Sequence, residues 1–158
     1  MSVKISRFPI LTHIKAKMTT ANRIAEAGLV TDLPPDLNVE SFFNPQNGIE
    51  NYALNLHFAW VEGVDRTPSE VSECLRVAGY VRADATIGVA LVRQHVHVLP
   101  HILDGDNEFA LLGELSVTDG GVFYATIHQG ENYARVLGTR SVHDQFPSTL
   151  PVLVFKKS

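Results

Sequence analysis

Histidine spacing is the first sign of possible chemistry in this chain. His95 and His97 stand two apart in a β-rich stretch from Thr86 to Leu99. On a strand, alternate residues share a face at a separation of about 6 to 7 Å, close enough for two imidazoles to hold one divalent cation. His128, on a later predicted strand, supplies a third candidate nitrogen, with His101 in reserve. Such a centre would activate water or dioxygen. Two alternate histidines are also what a solvated polar strand face looks like, and the residues favour that plainer reading. The expectation is therefore no cofactor, with a divalent metal at His95, His97 and His128 as the alternative.

The other reactive groups lack the company that chemistry needs. Cys74 is the single cysteine; it falls on the expected buried side of a helix, where a thiol packs as a small hydrophobe, and a nucleophile would need a base and a positive setting beside it. Asp104, Asp106 and Glu108 bracket a glycine but do not complete an EF-hand loop, so they read as a solvated turn. There is no nucleophile-elbow string and no phosphate-cradling glycine loop. Lys15, Lys17 and Arg23 cluster near the N-terminus, but 13 basic against 17 acidic residues leave a net charge of -4. The cluster reads as a surface face, and nucleic acid is not an expected partner. One cysteine permits neither an intramolecular disulfide nor a multi-cysteine zinc site. With no secretory leader pattern and no apolar run of about 20 residues, the expected location is the cytoplasm, away from membrane.

The elements that must position these groups are organised around Glu108 to His128. Two apolar-rich runs flank Thr118-Asp119-Gly120-Gly121, where Asp-Gly is expected to supply the positive φ angles of a tight hairpin turn. Upstream, Tyr52, Leu54, Leu56, Phe58 and Trp60 alternate with Asn51, Asn55 and His57, a half-buried strand. Thr67-Pro68-Ser69-Glu70 has the layout of a capping box and predicts a helix over 68–78 with Gly79 as its stop. A shorter helix runs from a Thr19 or Thr20 cap to Ala27. Thr86 to Leu99 reads as extended, with a change of parity at Leu91-Val92, and Leu150 to Phe155 as a closing strand. The expected class is α+β: a mostly antiparallel sheet with one strong helix and one short one. The Pro34-Pro35 and Asn44-to-Gly48 turns mark a boundary between an N-terminal extension, 1–48, and a main domain, 49–158.

Phe109 to Val117, Asp119-Gly120-Gly121 and Val136 to Arg140 are three strings that together resemble the plant and prokaryote conserved (PPC) domain. Phe109 to Val117 is similar to its leucine-serine-glycine-threonine-like segment, Asp119-Gly120-Gly121 to its turn, and Val136-Leu137-Gly138-Thr139-Arg140 to its Val-Leu-Gly-Gly-His-like segment. The resemblance covers roughly Tyr52 to Phe155. It implies the fold and assembly as a homo-oligomer, a trimer above all. Where the family has its metal histidines, this chain has Phe123-Tyr124-Ala125 and Arg140, so no metal site carries over. A fainter resemblance, of His128-x-x-x-Asn132 to the second cupin motif, is what the metal-enzyme alternative rests on. Arg140 cannot bind a cation, but its planar fork of donors suits a carboxylate or phosphate. The expectation is a small, non-catalytic oligomeric binding module. In its cleft, Arg140 receives an anionic ligand or pairs with an acid of the protein such as Asp119 or Glu131.

Overall fold

Two helices start where their caps put them in the computed structural model of the chain, which describes residues 2–63, 66–97, 99, 107–130 and 134–157. The Asn22 N–H donates to the Thr19 hydroxyl to open α1 (Thr20–Glu26). The Glu70 N–H donates to the Thr67 hydroxyl to open α2 (Pro68–Val77), with proline in its first turn. A third helix, α3 (Ala85–His95), corrects the extended reading of Thr86 to Leu99. Every residue from Ala85 to Val92 is buried. A helix apolar on all sides carries no 3.6-residue periodicity, and its valines and isoleucine imitate a buried strand. The local cue was Asp84, whose carboxylate accepts the Ile87 N–H as the N-cap.

Among the described residues nine strands form one sheet: β1 (Ser2–Ile5), β2 (Ile10–Ile14), β3 (Leu29–Thr31), β4 (Tyr52–Glu62), β5 (Tyr80–Arg82), β6 (Glu108–Thr118), β7 (Gly121–Gln129), β8 (Arg135–Ser141) and β9 (Val152–Lys156). The order is β1-β4-β9-β6-β7-β8-β3, with β2 also on β4 and β5 also on β9. The fold is mixed α and β, and the sheet is mixed rather than mostly antiparallel: β3 runs parallel to β8, and β6 meets β9 in parallel at Ala110 and Val152. Long connections free these neighbours from the antiparallel sense that a tight turn imposes. Backbone pairing also crosses the boundary expected at residue 48, since β1 and β2 both lie antiparallel on β4. In the hairpin, Thr118 pairs with Gly121 and leaves Asp119-Gly120 as the loop, but the positive φ, 143°, falls on Gly121 rather than on either loop residue.

Strand alternation divides the core into two layers. Leu56, Phe58, Phe109, Leu111, Ala125, Ile127 and Leu153 pack with α3, while Ala59, Val61, Ala110, Leu112, Tyr124, Val152 and Val154 pack with Val71 and Leu75 of α2. Covering both faces explains the unbroken buried runs in β6 and β9. The last turn of α3 also closes an edge. On the side of β2 away from β4, the His13 N–H donates to Gln94 Oε1 at 2.8 Å, Arg93 Nη2 donates to the His13 carbonyl at 3.4 Å, and His95 Nε2 donates to the Leu11 carbonyl at 2.7 Å. Side chains thus occupy backbone groups that an open strand would offer to another chain. Among the described residues no helix is long and apolar enough to cross a membrane.

A bulge in β6 locks the α3 start to the sheet. Leu111 pairs with Ala125 and Leu115 with Tyr124, so the chain bulges through Leu112-Gly113-Glu114. The Gly113 N–H donates to the Ala83 carbonyl at 2.9 Å, and a Cβ on Gly113 would lie 2.7 Å from the Ala83 carbonyl carbon and the Asp84 nitrogen. Backbone cannot step aside as a side chain does. Gly113→Ala is expected to lower unfolding free energy by about 1–3 kcal/mol in urea titration. A change within a few tenths of a kcal/mol would show that the bulge is free to relax.

Candidate functional site

Residues paired across neighbouring strands point to the same face. β6 pairs Glu108 with His128 and Ala110 with Thr126; β7 in turn pairs His128 with Val136, Thr126 with Gly138, and Tyr124 with Arg140. Glu108, His128, Thr126 and Arg140 therefore share one side of three strands, the side that packs toward α2. Gly138 sits between Val136 and Arg140 and presents no side chain; a Cβ there would come within 3.4 Å of His128 Cε1 and 3.7 Å of the Thr126 hydroxyl. That gap lets the long side chains converge. With Pro147, Thr149 and Leu150 from the segment before β9, they line a cleft of about 420 Å³.

Arg140 and Glu108 form a two-pronged pair: Nη2 donates to Oε1 at 2.5 Å and Nε to Oε2 at 3.2 Å. The acid is Glu108, 32 residues upstream, rather than Asp119, and Glu131 lies outside the described residues. Burial pushes the Glu108 carboxyl up, but the hydrogen bond and charge of Arg140, helped by Thr126 and His128, outweigh it and hold the group below its ordinary value. The Glu108 hydrogen bond likewise raises Arg140. Burial first, opposed by Arg140 and reinforced by Glu108 and Asp144, pushes the Tyr124 hydroxyl up. His128 Nδ1 is buried with no hydrogen-bond partner among the described residues.

The histidines named from spacing are not brought together. His95 ends α3, and His97 follows that helix, so the shared strand face that made them a pair does not exist. His95 is engaged with the β2 edge, and His128 lies on β7. Among the described residues no group of three or more His, Cys, Asp or Glu is arranged to hold a metal ion. His101, Asp104, Asp106 and Asn132 lie outside the described residues. Cys74 is half-buried on α2. Arg23, expected on a basic surface face, is a core residue with 7% of its surface exposed.

A carboxyl with a lowered folded pKa contributes stability that is full above its unfolded value, about 4.5, and is lost as pH falls through the folded value. The urea midpoint of the wild type is expected to fall on this account as pH drops below about 4.5. Glu108→Gln should flatten that limb, and parallel acid limbs for the two proteins would contradict the assignment. Compared with family models, with curated proteins and with solved structures, the chain matches none, so its own geometry carries the functional reading.

Proposed function

We propose that the protein is a small, non-catalytic binding module whose ligand enters the Glu108–Arg140 cleft and places an anionic or similarly accepting group on Arg140. The observation that carries this reading is the clamped guanidinium. Glu108 takes two of its five N–H donors and fixes its plane, while the side chain keeps 38% of its surface exposed. The remaining donors are held in one orientation before a ligand arrives, which lowers the entropy lost on binding. Glu108 also cancels much of the charge, so the site favours a hydrogen-bonded carboxylate, phosphate or sulfate at modest affinity over tight capture of a polyanion.

The absence of catalysis in this proposal rests on the state of the acid. A general acid or base works best with its pKa near the operating pH. Glu108 is shifted the other way and is tied into two hydrogen bonds. Self-association, the second part of the proposal, is supported by the hairpin tip, where Leu115 and Val117 are among the exposed large apolar side chains.

Thermal unfolding with sulfate or phosphate against chloride at matched ionic strength tests the cleft. At about ten times Kd, a rise of roughly 3–6 °C is expected for the wild type. Arg140→Ala should lose it, and Glu108→Gln should bind the anion more tightly because the competing carboxylate is gone. Equal rises in wild type and Arg140→Ala would refute the site. For assembly, light scattering at micromolar concentration should give a mass above one chain, reduced by Val117→Asp; a monomer throughout removes that part of the reading.

A further inference from the structure

A second cleft, of about 450 Å³, opens between α1 and the 3-10 turn Pro45–Gly48, lined by Met18, Arg23, Glu40, Phe43, Pro45 and Thr86 among others. It shares no lining residue with the Glu108–Arg140 cleft. Arg23 reaches it from α1 although the residue is nine-tenths buried. Its Nη2 donates to the Lys15 carbonyl at 2.8 Å, and among the described residues no carboxylate lies within ion-pairing distance; the pairs found there are Arg76–Glu73, Arg93–Glu26 and Arg140–Glu108.

The acid whose field Arg23 feels is already occupied. Asp84 accepts the Asn44 N–H at 2.7 Å and the Ile87 N–H at 3.2 Å, and the side chains of Asn47 and Thr86 stabilise it further. It offsets part of the Arg23 charge without touching it. Burial first, then the charge of Arg93, holds Arg23 below its ordinary value against weaker help from Tyr52, Asp84 and Glu26. Coupled to it electrostatically, the buried Tyr52 hydroxyl has no partner among the described residues, and burial pushes its pKa up to about 12. A cation in this setting is short of negative charge.

The chain nonetheless builds a seat for it. A Cβ on Gly48 would lie 2.7 Å from Arg23 Nη2, so the guanidinium in this position rests directly against the glycine, and a side chain there would push it aside. The Gly48 carbonyl accepts the Lys17 N–H at 2.9 Å, and Lys17 adopts a left-handed φ of 60°, which costs a non-glycine residue free energy. Two loops are thus drawn together around one underpaired arginine that borders a cleft.

We propose that this cleft binds a small monocarboxylate, with the carboxylate on the free donors of Arg23 and an apolar body against Met18, Phe43 and Pro45. The planar fork matches a carboxylate. Glu40, exposed at the rim, repels a second negative charge and so selects a monoanion over a phosphate dianion.

Sodium benzoate is a suitable probe, titrated against sodium chloride at matched ionic strength with thermal unfolding and amide NMR shifts as readouts. The wild type should gain roughly 3–6 °C at about ten times the apparent Kd, with shifts at Met18, Arg23, Asn44 and Thr86. Arg23→Gln should abolish the shifts at these residues and lower the thermal gain to what the Arg140 cleft alone supplies. Should that variant fail to fold, Glu40→Gln keeps the question open to decision: it alters an exposed side chain and should tighten benzoate, and phosphate more steeply. Arg140→Ala should leave the benzoate-induced shifts at Met18, Arg23, Asn44 and Thr86 intact, which separates this site from the other cleft, where a carboxylate also fits. No benzoate response in the wild type, an unchanged response in Arg23→Gln, or indifference to Glu40→Gln overturns the proposal.

Discussion

The carboxylate of Asp84 is the joint on which the rest of the molecule turns. One oxygen accepts the Ile87 N–H and starts α3; the other accepts the Asn44 N–H and fixes the loop that precedes β4. An N-cap is worth about 1 kcal/mol, and a hydrogen bond to a charged group about 1.5–3 kcal/mol. Together they set where the buried helix enters the core. Desolvation raises the Asp84 pKa despite the hydrogen bonds it accepts. For an acid raised in this way, the linked stability is full below its unfolded value and declines as pH rises through the folded one. The carboxylate is thus kept for geometry: an amide in its place would turn an NH2 toward one of two backbone donors.

From that joint the two layers follow. α3 fills one face of the sheet and uses its final turn to close the β2 edge, so Gln94, Arg93 and His95 are engaged with backbone. α2 covers part of the opposite face, and the Glu108–Arg140 cleft opens on that face, where three strands present polar residues in register. The aromatic strand β4 needs no second subunit to cover Leu56 and Phe58, because α3 does so.

Local signals were legible in the sequence, and long-range ones were not. Thr19 and the Thr67–Glu70 box announced α1 and α2 because capping is settled within four residues. Asp119-Gly120 announced the β6–β7 hairpin for the same reason, although the positive φ moved to Gly121. The helix from Ala85 was hidden because burial on every side erased its period, and the histidine pair drawn on that supposed strand went with it. Arg140 could be singled out as an anion-seeking side chain. Its partner could not, since the choice of Glu108 over Asp119 is made by strand register and by the gap at Gly138. The burial of Arg23 was likewise invisible, because it depends on Gly48 meeting α1 across 25 residues of chain.

The two arginines show how one side chain can play opposite parts. Arg140 has its counter-charge built in, keeps part of its surface in water and is oriented by Glu108; removing a ligand from it exposes nothing that the protein has not already compensated. Arg23 is nine-tenths buried, holds a carbonyl rather than a carboxylate, and leans on an acid whose oxygens serve backbone amides. A half-exposed pair changes little in free energy when an anion arrives, because water and the carboxylate already screen it. A buried cation short of negative charge changes more, because each new hydrogen bond acts at low dielectric. Of the two clefts, the one at Arg23 is therefore the one whose occupancy should be felt through the fold, from α1 through Asp84 to the start of α3.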